Sequence, residues 1–340
     1  MRNVVDIGNY TLYTGVASPI GDMVSEGNLL YPAHQAGTKY INLAKDLAAA
    51  NGKNEEITTR DGHLYAYIVE VSSFASANSF NQIITIPNTW RVRNAFRKFH
   101  FARESMFEAA GITKSEMGKY GQVLRPYMSL QHRKDGELAP KVVDFVGDSD
   151  DPVARDYTGG EWTYTALASS PTFEDTVNMS ATGLPPTDTW NVHVLGGSKV
   201  QASSGNVKTW DSVGMVNAYN QDRMDQIPDA DDTNYPDSTV EGLNNPLASL
   251  RTQTLTSGEI VDIAQDQEEE KPPYDILDNG DSQDGVYAQT FYMSSSGEAA
   301  TRRLGTIVVP AGLMAIQSTA TNGNGLMLNV VGKVLCKDLE

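Results

Sequence analysis

The amino-acid sequence predicts a mainly β protein built from antiparallel strands, and three observations support this fold class. Nine short segments are rich in Val, Ile, Thr and Tyr, and several of them alternate apolar and polar residues as half-buried strands do. The 29 Gly and 15 Pro residues separate these segments in clusters such as Gly159-Gly160 and Pro185-Pro186. No strand–helix alternation repeats along the chain, which argues against a parallel α/β sheet.

The predicted strands are spread over the whole chain, at residues 10–16, 63–72, 82–86, 161–168, 190–195, 286–294, 304–309, 313–317 and 326–336. Apolar side chains dominate the closing segments 304–316 and 326–336, which we therefore expect in the core. The single cysteine, Cys336, suits a small buried side chain there. One cysteine also excludes an internal disulfide framework and a Cys-based zinc site.

One long amphipathic helix is predicted at about 90–110. Its apolar residues recur at spacings of three and four and form one stripe, made of Val92, Ala95, Phe96, Phe99, Ala102, Met106 and Ala109. Asn88 can cap the beginning of this helix, and Gly111 is a plausible stop after it. A second helix is predicted to follow Thr256, which forms a capping-box pattern with Glu259.

Charge is distributed unevenly along the chain, which carries 26 basic and 43 acidic side chains and a net charge of −17. Residues 88–141 hold eleven basic and five acidic side chains, whereas residues 222–284 hold seventeen acidic and three basic ones. The overall negative charge argues against a simple cationic nucleic-acid binder. The segregation indicates two surfaces with different partners or different exposure to solvent.

The basic helix carries the candidate nucleic-acid-binding residues, which are Arg91, Arg93, Arg97, Lys98 and Arg103. Trp90, Phe99 and Phe101 are interleaved with them. Arg and Lys side chains contact phosphates and aromatic rings stack on unpaired bases, so this composition suits a single strand held without sequence reading. The alternative is that the aromatic rings belong to the core and the arginines pair with acidic side chains of the same fold.

No catalytic arrangement is recognisable, and the sequence does not predict an enzyme. A Gly-x-Ser-x-Gly elbow is lacking, and the five histidines lie far apart outside any catalytic motif. No cofactor is predicted, apart from a candidate structural calcium ion. Three aspartate clusters offer oxygen ligands for calcium, at 148–151, 229–232 and 278–284. None matches the EF-hand loop, so solvated turns are the alternative, and the identity of any metal ligand stays open.

Three stretches of the sequence carry a resemblance to a known family. They are the Trp-plus-basic segment 90–100, which continues into 117–121 and 124–127, the acidic stretch 268–275, and the closing strand pair 305–316 and 326–331. In these stretches the chain resembles the jelly-roll capsid proteins of small circular single-stranded DNA viruses, the kind that also encode a rolling-circle replication protein. Together they comprise 46 of the 340 residues, about one seventh of the chain.

The resemblance implies one jelly-roll domain over residues 1–340, with a basic helical insertion at about 88–141 and an acidic surface insertion at about 219–285. A double jelly roll is the alternative architecture for this length. The implied protein is a coat protein of the virion that assembles with copies of itself into an icosahedral shell. The shell would enclose a single-stranded DNA genome, and the sequence does not identify a host receptor.

One feature departs from the family. Many such capsid proteins begin with an arm rich in Arg and Lys that neutralises the genome, whereas residues 1–38 contain Arg2 as their one basic side chain. Genome contact would then fall to the segment 88–141.

No run of about 18 apolar residues is present, so a membrane span is not expected.

A second class of structural β protein stays open at this point. A phage tail or fibre component, or a glycan-binding sandwich, would also show short strands without catalytic motifs. In that case the four tryptophans, Trp90, Trp162, Trp190 and Trp210, and the aspartate clusters would serve a sugar or calcium site. Closed shells in the electron microscope would separate a capsid subunit from these alternatives.

Overall fold

The computed structural model describes residues 3–7, 10–14, 27–34, 36–75, 79–113, 115–116, 123–144, 153–157, 162–168, 189–196, 212–224, 289–295, 300–319 and 324–339. Within these ranges the protein is mainly β, with antiparallel sheets and few helices, an arrangement compatible with a β-sandwich. Most of the predicted acidic insertion, residues 225–285, lies outside the described residues, as does the helix predicted after Thr256.

The strands described are β1 (Asn3–Ile7), β2 (Tyr10–Thr14), β3 (Asn28–His34), β4 (Gly37–Asn42), β5 (Tyr65–Ala75), β6 (Ser79–Thr85), β7 (Lys141–Asp144), β8 (Val153–Asp156), β9 (Ala166–Ala168), β10 (Thr189–His193), β11 (Ser212–Gly214), β12 (Gln289–Ser295), β13 (Ala300–Pro310), β14 (Leu313–Ser318) and β15 (Asn324–Leu335). The α-helices described are α1 (Leu43–Asn51), α2 (Trp90–Ala109), α3 (Leu130–Asp135) and α4 (Met215–Met224). A 3-10 turn, Cys336–Asp338, follows β15. Each of the nine predicted strands overlaps a described strand. The elements that were not predicted are β1, β3, β4, β7, β8, β11, α1, α3 and α4.

Two larger sheets form the body of the protein. One has six strands in the order β13-β5-β15-β3-β7-β8, and the other has four in the order β12-β6-β14-β4. Every strand pair within them is antiparallel. Buried side chains of both sheets belong to one apolar cluster, as in the two layers of a sandwich, and its members include Tyr31, Val69, Leu326, Ile41, Ile83 and Met314.

Consecutive strands of the two larger sheets alternate between one sheet and the other, apart from β7 and β8. The two ends of the body therefore carry different sets of connections. At one end, consecutive strands are joined by residues 35–36, 76–78, 296–299 and 319–323. At the opposite end, residues 43–64 join β4 to β5 and include α1, and residues 86–288 join β6 to β12. We call this second end the insertion end. The backbone N–H of Leu43 donates to the carbonyl of Gly312 there (2.8 Å), in the tight turn between β13 and β14.

Helix α2 begins at the insertion end and packs most of its predicted apolar stripe into the core, whereas Met106 is half-buried and Ala109 is exposed. Val92, Ala95, Phe96, Phe99 and Ala102 are buried, and the helix contacts α4. The predicted cap is wrong by one residue, because the Thr89 side chain accepts from the Val92 N–H (3.4 Å). The Asn88 amide instead donates to the carbonyl of Cys336 (3.0 Å), which ties the start of α2 to the end of β15.

Candidate nucleic-acid interface

The structure spreads the five predicted cations around helix α2 instead of placing them on one surface. Successive residues of an α-helix are separated by about 100°, so Arg91 and Arg93 project about 160° apart, whereas Arg93 and Arg97 are separated by only about 40°. Arg91 is buried, Arg93 and Lys98 are half-buried, and Arg97 is exposed. The five candidate nucleic-acid-binding cations therefore do not share one surface of the helix.

Arg91 and Arg103 are engaged with the protein's own groups. The Arg91 guanidinium lies 5.6 Å from the centre of the Trp90 ring. Arg103 Nη1 donates to the carbonyl of Val123 (2.9 Å), and its guanidinium lies 5.2 Å from the centre of the Phe107 ring. Burial, together with the nearby charge of Arg125, lowers the pKa of Arg103 to about 10. Arg103 stays charged at neutral pH and fastens the segment after α2 to the helix.

Arg93 and Arg97 line a pocket of about 200 Å³ at the insertion end, together with His63, Leu64, Asn94 and Lys337. His63 stands just before strand β5, and Lys337 lies in the turn after β15. Arg93 Nη1 donates to the carbonyl of Cys336 (3.3 Å), which holds the guanidinium against the end of the closing strand. Sequence reasoning found Arg93 and Arg97 but missed His63 and Lys337, which are far from α2 along the chain.

Positive charge accumulates in this pocket. Burial, then the charges of Lys337 and Arg97, lower the pKa of His63, against the opposing effects of Asp61 and Asp338. The three side chains of the pocket that are always charged are Arg93, Arg97 and Lys337. None of them forms an ion pair with a carboxylate of the described residues. By contrast, Lys45 and Lys141 each lie within 2.6 Å of an acidic oxygen. The pocket is therefore electropositive in a chain whose net charge is negative.

An exposed aromatic ring extends the pocket along α2. Phe101 lies one turn after Arg97, is 44% exposed, and has the Arg97 guanidinium 5.9 Å from its ring centre. The His100 ring meets the Phe101 ring edge-on at 5.8 Å. Phe99, another of the three interleaved aromatic residues, is fully buried and belongs to the core. Arg93, Arg97 and Phe101 thus form one surface stripe of two cations and one aromatic ring.

A second cluster of ionisable side chains surrounds the buried carboxylate of Glu137. This carboxylate accepts hydrogen bonds from Lys45 Nζ (2.6 Å) and from the Tyr164 hydroxyl (2.9 Å), and it lies 2.8 Å from His132 Nε2. Burial alone would raise the pKa of Glu137, but His132 and Lys45 together lower it to about 2. The cluster joins α1, α3 and the segment before β9, so its contacts are those of a structural clamp.

A buried hydrogen-bonded trio lies next to this clamp. Ser212 Oγ is within hydrogen-bonding distance of both the Tyr127 hydroxyl and His193 Nδ1. A Ser–His hydrogen bond is the arrangement that nucleophilic catalysis uses. Here all three side chains are fully buried. This burial fits a role of the trio in packing β10 against β11.

The aspartate clusters considered for calcium, at 148–151, 229–232 and 278–284, lie outside the described residues. Within the part of the chain that the structure describes, no three His, Cys, Asp or Glu side chains are grouped so as to hold a metal ion. The described helices include none that is long and apolar enough to cross a membrane.

Comparison of the chain with protein-family models, with curated proteins and with solved structures gives no match.

Proposed function

We propose that the chain is a jelly-roll capsid protein that assembles with copies of itself into an icosahedral shell around a single-stranded DNA genome. Strand order is the observation that carries this proposal. Eight strands, β3 to β6 and β12 to β15, alternate between the two larger sheets. Numbered one to eight along the chain, they lie in the orders one-eight-three-six and two-seven-four-five.

This order is the one expected when two Greek-key motifs are wound into an eight-stranded jelly roll. In both sheets, strands that are far apart along the chain lie side by side as antiparallel pairs. Examples are β15 with β3 in the six-stranded sheet and β14 with β4 in the four-stranded sheet. The remaining strands of the six-stranded sheet, β7 and β8, extend it beyond β3. The order also favours a single jelly roll over a double one, because all eight strands are used once.

The surface of α2 is what favours a capsid among the functions that jelly rolls serve. The fold hosts viral coat proteins, lectins and cupins, so strand order by itself does not select among them. Arg93, Arg97 and Phe101 provide two cations and a stacking ring on one stripe, which suits the phosphates and unpaired bases of a single strand. A lectin site has no need of this combination.

One edge of the four-stranded sheet offers a surface for self-assembly. Strand β12 is the last strand of that sheet, and among the described strands it pairs with β6 alone. Tyr292 on β12 and Phe80 on β6 are both exposed, with ring centres 5.6 Å apart. Open strand edges and exposed aromatic groups are features that subunit contacts cover.

Electron microscopy and light scattering of the purified protein test the proposal. We expect closed shells of on the order of sixty or more copies. Tyr292→Ala should weaken assembly while the circular dichroism of the subunit stays unchanged, because the exposed ring contributes little to the core. A species that stays monomeric across pH, salt and calcium conditions would contradict the capsid function. Small oligomers without closure would favour a tail or fibre component instead.

The double variant Arg93→Gln with Arg97→Gln tests the genome contact separately from assembly. Shells should form normally but carry less DNA, with a larger loss at higher salt, because phosphate contacts are electrostatic. If the double variant instead fails to assemble, and the few particles that form carry normal DNA, these arginines bridge subunits. That result would remove the genome contact and leave the capsid proposal intact.

A further inference from the structure

We infer that His63, Arg93, Arg97 and Lys337 form a phosphate-binding pocket at the insertion end, and that it holds a phosphodiester group of a single-stranded nucleic acid. The inference rests on the proposed function only for the source of the phosphate. Two of these residues, His63 and Lys337, lie outside the basic segment of the sequence.

The convergence of cations from three separate elements points to an anion as the missing partner. His63 comes from the chain before β5, Arg93 and Arg97 from α2, and Lys337 from the turn after β15. The chain contains 43 acidic side chains, so carboxylate partners are plentiful. None of the described carboxylates forms an ion pair with Arg93, Arg97 or Lys337. Asp61 and Asp338 lie near His63 and offset part of the positive charge, but without an ion pair to the three cations. Gathering like charges with incomplete compensation costs stability unless a ligand supplies the remaining counter-charge.

The size and chemistry of the pocket suit a phosphate group. Its volume of about 200 Å³ is below the roughly 300–1,000 Å³ of sites that enclose a whole drug-sized ligand. Guanidinium groups bind phosphate oxygens through paired N–H donors, and an ammonium group adds a point charge. Arg93 is already oriented by the Cys336 carbonyl, so part of the ordering cost is met before a ligand arrives.

Phe101 is the reason for preferring a nucleic acid to an acidic peptide. Its exposed ring lies one helical turn beyond Arg97, on the same stripe. A base attached to the bound phosphate could stack on this ring, an interaction worth about 1–3 kcal/mol per base in single-strand binding. An acidic peptide would leave the ring without a comparable partner.

His63 makes the predicted affinity depend on pH. The charged groups that face it are Lys337, Arg97, Asp61 and Asp338, with Arg93 across the pocket. Burial and then the two cations lower the pKa of His63, and a bound phosphate would oppose the effect of the cations. Protonated His63 would add a further donor to the ligand. A phosphodiester, whose single negative charge does not change over this pH range, should therefore bind more tightly as the pH falls, and its binding should raise the pKa of His63.

Fluorescence anisotropy with a labelled oligodeoxythymidylate, measured over a range of salt concentrations, tests the pocket. Lys337→Gln should weaken binding several-fold and reduce the salt slope by about 1, the effect of one lost phosphate contact. Lys134→Gln is the matched control, because Lys134 is an exposed lysine of the basic segment on α3, outside the pocket. If both variants weaken binding equally, the oligonucleotide is attracted by the basic surface in general, and the proposal of a specific phosphate pocket is wrong.

Histidine NMR of the full chain gives a second readout. Added inorganic phosphate should raise the pKa of His63 in the natural protein and leave it unchanged in Arg97→Gln. No change in the natural protein, or displacement of the oligonucleotide by polyglutamate as readily as by inorganic phosphate, would overturn a phosphate site. If Lys337→Gln behaves as expected but no shells form in the microscope, the pocket stands and the capsid function fails.

Discussion

The Tyr31 hydroxyl donates a 2.6 Å hydrogen bond to Asp46 Oδ2, which joins strand β3 to helix α1 inside the protein. Both side chains are buried. Burial raises the pKa of Asp46 to about 8, although the hydrogen bond from Tyr31 acts in the opposite direction. The folded protein therefore keeps a proton on Asp46 at neutral pH, whereas the unfolded chain releases it.

This pair predicts a fall in stability with rising pH. An acid whose pKa is raised on folding stabilises the protein fully below its unfolded pKa of about 4, and that contribution is lost as the pH rises through the folded value of about 8. Asp46→Asn keeps an acceptor for Tyr31 and removes the titration. Urea unfolding between pH 4 and pH 8 should show a flatter profile for this variant. An unchanged profile would mean that Asp46 is ionised in the fold.

Glu137 predicts the opposite dependence at acid pH. Its pKa is lowered from 4.5 to about 2, so its contribution is present above the unfolded pKa and is lost as the pH falls through the folded one. Glu137→Gln should lower the free energy of unfolding at pH 7 by about 3 kcal/mol, because Lys45 and His132 lose a buried anion. The loss should shrink towards pH 2. Glu108→Gln, at an exposed position on α2, should have little effect at either pH.

Phe99 and Phe101 form a matched pair for separating folding from binding. Phe99 is 0% exposed, so Phe99→Ala should destabilise the fold by roughly 3–5 kcal/mol. Phe101 is 44% exposed, so Phe101→Ala should melt near the natural temperature and lose affinity for the oligonucleotide. Thermal melting and anisotropy on both variants check this. Normal binding by Phe101→Ala would exclude stacking on this ring.

The closing strands offer another matched pair. Ile307 on β13 is 3% exposed, and Ile307→Asp should prevent folding because a buried carboxylate without a partner costs several kcal/mol. Val331 on β15 is 59% exposed, and Val331→Asp should give soluble folded protein. Val330, expected in the core from its sequence, is half-buried, so Asp at this position tests burial less sharply. Soluble yield and circular dichroism distinguish the outcomes.

The strands that sequence patterns identified are those with long apolar or alternating runs, such as β13 and β15. Strands β3 and β4 escaped detection because β3 contains Pro32, a residue that usually marks a strand edge or a break. β4 begins with a polar Gly-Thr-Lys run and shows its apolar residues only at Tyr40 and Ile41. Both strands are held by long-range pairing, which no local pattern reports.

The pocket could be predicted only in part, for a similar reason. The cations on α2 were visible as a cluster, and helical spacing alone would have separated Arg91 from the Arg93–Arg97 side. His63 and Lys337 meet because Tyr65 pairs with Leu335 in the β5–β15 register. That register is a long-range property of the fold, which local sequence patterns do not report. The sequence therefore gives no sign that His63 and Lys337 are neighbours.

The pairing of Thr85 with Gln289 allows the connection at the insertion end to vary in length. These residues are register neighbours on β6 and β12, although residues 86–288 separate them along the chain. In its backbone path the pair is a hairpin with a very long connection. Each doubling of such a connection costs only roughly 0.6 kcal/mol of closure entropy. Segments that do not pack into the core can therefore be gained, lost or exchanged between these two positions while the eight-stranded frame keeps its register. Helix α2 is excepted, because Phe96 and Phe99 belong to the shared core.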